Sequence, residues 1–143
     1  MRDLELVADC SRCAGLCCVL LPFRAEDGFG VDKAGGEACH NLDDRNLCRI
    51  HDRLSGSGWT GCVRYDCEGA GQHVTQATYA GLDWRSGAVN LAEMAAVFSV
   101  MRVLHSHLAA LDPDSAAFVE TAALTNATPE DLLALDLGDL PGP

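Results

Sequence analysis

Eight cysteines carry most of the chemistry available to this chain of 143 residues. The first four are crowded into CSRCAGLCC, as Cys10-x2-Cys13-x3-Cys17-Cys18. Cys39 follows and is joined directly to His40, Cys48 precedes His51 by three positions, and Cys62 and Cys67 close the series. A Cys-x2-Cys step lets two sulfurs converge on one ion from a tight turn. With metal–sulfur bonds of about 2.3 Å, two tetrahedral positions remain for ligands from elsewhere in the chain. Iron–sulfur clusters are also normally held by cysteine thiolates. Cys10, Cys13, Cys17, Cys18, Cys39, Cys48, Cys62 and Cys67 are therefore the candidate metal ligands, and their spacing leaves zinc and an iron–sulfur cluster both open.

The adjacent pair constrains the geometry. Side chains at neighbouring positions point in different directions on most backbones. Cys17 and Cys18 can share an ion only through an unusual turn; otherwise one of them is a bystander, or they serve two centres. Free cysteine is often buried as a small apolar residue, so bystanders are ordinary. In chain order, Cys10, Cys13, Cys17 and Cys18 would supply one part of the constellation, and Cys39, Cys48, Cys62 and Cys67 the other.

The histidines divide by position. His51 could join Cys48 on one face of a helical turn and is a candidate further ligand. His40 has adjacency to Cys39 in its favour and nothing more. His105 falls on an apolar helical stripe and reads as a core histidine with one hydrogen bond, with a ligand or supporting role at the cysteine cluster as its alternative. His107 is expected in solvent, and His73 is uninformative. GFG, GSG and GAG read as turns, because none follows a strand and opens a helix as a phosphate-binding loop does. Trp59, Tyr65, Tyr79 and Trp84 read as core or as shielding for the site.

The remaining composition narrows the function classes. The formal net charge is −11, which disfavours nucleic acid and anionic membrane as partners. Apolar residues make up 48% and charged residues 22%, as in ordinary globular chains. The acidic N-terminal stretch MRDLELVADC lacks the pattern of a signal peptide, and apolar runs are too short to span a bilayer. A cytoplasmic location is expected, where thiols stay reduced and serve as ligands or redox groups.

All eight cysteines lie between residues 10 and 67. The chain is accordingly divided into a cysteine-rich region, 1–87, and a helical tail, 88–143, packed together as one compact domain. The expected class is α+β or irregular: a small metal-binding fold with a loop and short-strand half against the tail. DLELVADCSRC could open as a short helix, LCCVLLPF as a short strand or buried extended segment, and GCVRYDCEGAGQHVTQATYAGLDW as short strands or turns. The tail is clearer. Leu91, Met94, Phe98, Met101, His105 and Leu108 recur at helical spacing, and Val97, Val100, Leu104 and Leu111 widen that face. Asn90 is the expected N-cap, with Glu93 completing a variant capping box. A second helix is expected in PDSAAFVETAAL and a third after Thr128, with Pro129 at its first position.

The cysteine pattern resembles the YkgJ-like family of bacterial zinc- or iron-chelating domains. Its members show C-x2-C-x3–4-C-C near the N-terminus, then approximately P-C-x2-L-x5-C-x-I-Y, then two further cysteines. Here CSRCAGLCC, ACHNLDDRNLCRIH and GCVRYDC follow that order, over residues 10–67. Ala38 stands in place of the usual proline and His51 in place of a common tyrosine. Similar segments also precede pentapeptide repeats in actinobacterial proteins, and no such array occurs here. The resemblance implies metal chelation, names no reaction and leaves the metal open. The expected function is a metal-binding protein whose clustered cysteines hold zinc or an iron–sulfur cluster as a structural or redox/regulatory centre. A metal- or thiol-dependent redox or group-transfer enzyme, and a protein-interaction module with purely structural zinc, are the alternatives.

Overall fold

A computed structural model describes residues 4–143; residues 1–3 lie outside it, including Asp3, where the stretch read as a short N-terminal helix begins. The α+β expectation is overturned: the fold is helical, and among the described residues there is no sheet. Extended pairing is confined to two isolated antiparallel bridges, Phe23 with Lys33 and Leu42 with Cys48.

The physical reason is visible in LCCVL. It forms α1, Leu16–Leu20, with Leu16, Val19 and Leu20 buried at helical spacing. An apolar run this short is equally compatible with strand and helix, and tertiary contact decides. Gly15 starts the helix from a left-handed φ of 72°, which glycine adopts without penalty. The segment from residue 60 is likewise helical. It gives α2, Thr60–Arg64, and α3, Ala70–His73, which widens into a π turn at Val74–Thr78. Short 3₁₀ turns at Cys10–Arg12, Ala25–Asp27, His51–Arg53, Ser55–Ser57 and Trp84–Ser86 complete the cysteine-rich region.

The tail follows its sequence pattern closely. Helix α4, Leu91–Ala109, buries Met94, Val97, Phe98, Met101, Leu104, His105 and Leu108. Full burial of each large apolar side chain contributes roughly 1.5–3 kcal/mol. Helices α5, Ala116–Leu124, and α6, Pro129–Leu133, pack on α4, which also meets α1, α3 and the π turn. The His73 Nε2 bonds the Thr125 carbonyl at 2.8 Å, tying α3 to the end of α5.

Caps fix its start. The Asn90 side chain accepts from the Glu93 amide at 3.0 Å. Glu93 does not reach back as a reciprocal capping box would; its carboxylate accepts from the Tyr79 hydroxyl at 2.8 Å. Asn90→Ala is expected to lower stability by about 1 kcal/mol in denaturant unfolding, because one orphan amide loses its acceptor.

Candidate metal centre

Three residues of α3 and its π turn organise the first cysteines. Gln72 accepts from the Asp9 amide at 3.1 Å and donates to the Val7 carbonyl at 2.7 Å. The Thr75 hydroxyl accepts from the Ala14 amide at 3.0 Å and donates to the Gly71 carbonyl at 2.9 Å. These bonds hold the chain on both sides of Cys10 and Cys13 against α3. Gly71 permits the close approach. A Cβ at Gly71 would lie 2.8 Å from the Cys13 sulfur and 3.7 Å from that of Cys67. Cys13 and Cys67, far apart in sequence, therefore meet across one glycine.

Gly71→Ala tests this contact. Alanine gains about 1 kcal/mol over glycine in a helix, while forcing extra volume into a packed site costs about 1–3 kcal/mol. The contact is with a short, confined side chain, so the overlap is expected to win and lower the unfolding midpoint. Gly56→Ala, whose Cβ would meet nothing within 4 Å, is the matched control and should leave the midpoint in place.

A second group gathers around an aromatic platform. Phe23, Cys39 and Trp59 are buried together, with Cys18 and Cys62 packed against them. Phe23 stacks on Phe29 and meets Trp59 edge-on. The Cys39 amide donates to the Cys18 carbonyl at 2.9 Å. The Leu42 amide donates to the Cys39 carbonyl at 3.0 Å, and Leu42 bridges to Cys48, which folds the 39–48 loop back on itself.

The two groups border one apolar cavity of about 110 Å³. Cys10, Cys13, Cys17, Cys18, Cys48, Cys62 and Cys67 line it, together with His51 and Tyr65. Cys39 is not among the lining residues; it is buried in the aromatic platform behind Cys18. All eight cysteines are free thiols. Cys17 and Cys18 lie with their sulfurs 3.9 Å apart. Among the described residues, no three His, Cys, Asp or Glu side chains already stand together as a metal-binding group.

Burial keeps most of these thiols uncharged. Burial pushes Cys62 up to about 12, with Cys18, Cys39 and Cys48 adding to the effect. Cys10 keeps part of its surface in water, yet lost hydration, with Cys13 and Cys67 beside it, raises it to about 11. Cys18 moves the other way. Its hydrogen bond with Cys17 favours the thiolate against burial, and Lys33 adds a positive charge. Lys33 is itself anchored by the Leu21 carbonyl and lies 4.4 Å from the Phe23 ring centre. The Tyr65 hydroxyl is buried without a hydrogen-bond partner, near Cys17, Cys67 and Cys13. Arg102 of α4 covers the Tyr65 ring.

The histidines separate as follows. His51 borders the cavity. His40 packs near Trp59. His105 is fully buried, with its Nδ1 bonded to the Glu68 carbonyl at 2.7 Å and its ring edge-on to His73. His107, expected in solvent, instead bonds the Pro141 carbonyl at 2.6 Å. Lys33, Gly71, Gln72 and Thr75 carried no signal in the sequence that separated them from ordinary loop or turn residues.

Fold and site together define a small helical domain enclosing a thiol-lined cavity. The uncharacterized protein YybG of Bacillus subtilis (strain 168) is 46% identical to the chain over 104 residues, which is 73% of this chain and 37% of that protein. The chain thus spans little more than a third of its relative. No family model matches the chain, and no solved structure does. Among the described residues, no helix is long and apolar enough to cross a membrane.

Proposed function

We propose that this protein binds metal through its clustered cysteines, holding zinc or an iron–sulfur cluster as a structural or redox/regulatory centre in a reducing, cytoplasmic environment. The observation that carries this reading is the convergence of seven cysteines, from segments between residues 10 and 67, on one apolar cavity. The donor chemistry fits the group. Sulfur-rich sites suit zinc and iron–sulfur clusters, and the site offers more thiols than a single tetrahedral ion uses. The orphaned Tyr65 hydroxyl fits as well, because a metal-bound thiolate would give it an acceptor. The resemblance of the cysteine spacing to the YkgJ-like chelating domains supports the same reading. When bound, zinc would supply fixed tetrahedral cross-linking, and a cluster would supply electron transfer. The chain's own residues position the thiols, exclude water with Phe23, Phe29 and Leu21, and place Lys33 beside Cys18.

Anaerobic purification followed by elemental analysis and visible absorption tests the proposal. The expected result is a colourless protein with stoichiometric zinc, or a brown one with iron and sulfide. A metal-free protein with eight titratable thiols that takes up neither zinc nor a reconstituted cluster would overturn it.

A further inference from the structure

The thiols are divided in space differently from their order in sequence. Cys13, Cys17 and Cys67 pack against the main core beneath α4. Cys18, Cys39 and Cys62 pack on the separate Phe23–Trp59 cluster. The two cysteines outside these clusters attach through the backbone. Cys10 shares a 3₁₀ turn with Cys13, whose amide donates to the Cys10 carbonyl at 3.4 Å. Cys48 is tied to Cys39 through Leu42. Backbone bonds reinforce the division: Cys39 bonds Cys18, whereas Gly71 sits against Cys13 and Cys67.

We infer that the thiols at and around the cavity form two four-cysteine centres, one built from Cys10, Cys13, Cys17 and Cys67 and the other from Cys18, Cys39, Cys48 and Cys62, with Cys39 reaching in from the aromatic platform. The grouping exchanges Cys18 and Cys67 relative to the order of the chain. Cys17 and Cys18 become the seam between the centres. Their 3.9 Å separation is short enough for one ion to take both. Their remaining neighbours decide against that, since each has three other thiols on its own side. Tyr65 belongs to the first centre, beside Cys17, Cys67 and Cys13, and Lys33 to the second, beside Cys18 and Cys39. The centres thus differ in surroundings: a hydroxyl donor at one, a cation at the other.

This inference rests on the metal-binding reading, and the test separates the two. Zinc is titrated anaerobically into the reduced, metal-free full chain and followed by native mass spectrometry. Two equivalents are expected. Cys17→Ser/Cys67→Ser and Cys18→Ser/Cys39→Ser should each retain one equivalent. Cys17→Ser/Cys39→Ser should weaken both centres, by more than about 100-fold, a larger loss than outer-shell changes produce. If a variant fails to fold, the wild-type chain answers the question. Partial zinc loading followed by thiol alkylation and peptide mapping should protect cysteines in the two stated sets of four. Protection of Cys10, Cys13, Cys17 and Cys18 as one set would overturn the grouping, as would a single equivalent held by thiols from both sets. In either case metal binding itself would stand. A chain that binds no zinc and accepts no cluster would instead remove the reading beneath it.

Discussion

On the proposed metal-binding reading, stripping the metal is expected to unfold the cysteine-rich region while leaving much of the α4–α6 layer helical. The two parts differ in what else holds them. Helix α4 is nineteen residues long and buries seven side chains. Between α1 and α3 the longest helix has five residues, and the local buried cluster consists of Phe23, Cys39 and Trp59. Structural zinc supplies about 10–16 kcal/mol in small zinc-dependent folds, against a total stability of about 5–15 kcal/mol for a typical domain. Losing one centre would therefore outweigh what three buried residues contribute. Amide hydrogen exchange with and without a strong chelator, under reducing anaerobic conditions, locates the effect. Protection should collapse across residues 18–67 and persist at Met94–Leu108. Unchanged protection across residues 18–67 after complete metal removal would contradict the expectation.

His105 should make stability fall as solution becomes acidic. Burial lowers its pKa from 6.5 to about 4, partly opposed by the Glu68 carbonyl, with His73 adding a further lowering. The sign follows from which state takes the proton. Above 6.5 both states hold neutral imidazole. Between 6.5 and 4 the unfolded chain is protonated and the folded one is not, so acid favours unfolding. From pH 7.5 to pH 5 the loss amounts to about 2 kcal/mol for this group. His105→Gln removes the titration. Thiolate protonation and metal loss act on both proteins, so the difference between their pH slopes isolates His105. Denaturant midpoints at the two pH values give that difference, and parallel slopes would show that His105 is not the group responsible.

The legibility of this chain varied with how local the causes were. The start of α4 and the start of α6 could be read from Asn90 and from Thr128–Pro129, because a cap and its amide lie within three residues. The buried face of α4 was likewise written in its spacing. In the cysteine-rich region the decisive contacts are distant. LCCVL is helical because Leu16, Val19 and Leu20 face the core under α4, and nothing within five residues states that. The β-branched Val74 and Thr75, which favour strands in isolation, instead close a π turn over Ala14. The cysteine types and spacings marked where chemistry would concentrate. They did not disclose that Gly71 joins Cys13 to Cys67, or that Cys39 stands behind Cys18, because both depend on how α3 and the aromatic platform fold back.

The Gln72 clamp sets an order in time. It joins residues separated by 65 and 63 positions, to Val7 and Asp9, whereas Leu42 and Cys48 meet within a short loop. Loop closure costs more as the intervening chain lengthens, and contacts between distant residues form late. During synthesis the N-terminal cysteines emerge first, yet the wall that faces them, carrying Cys67 and Gly71, emerges many residues later. The 39–48 loop can close in the meantime. The first four thiols therefore remain without their facing wall until α3 has been made.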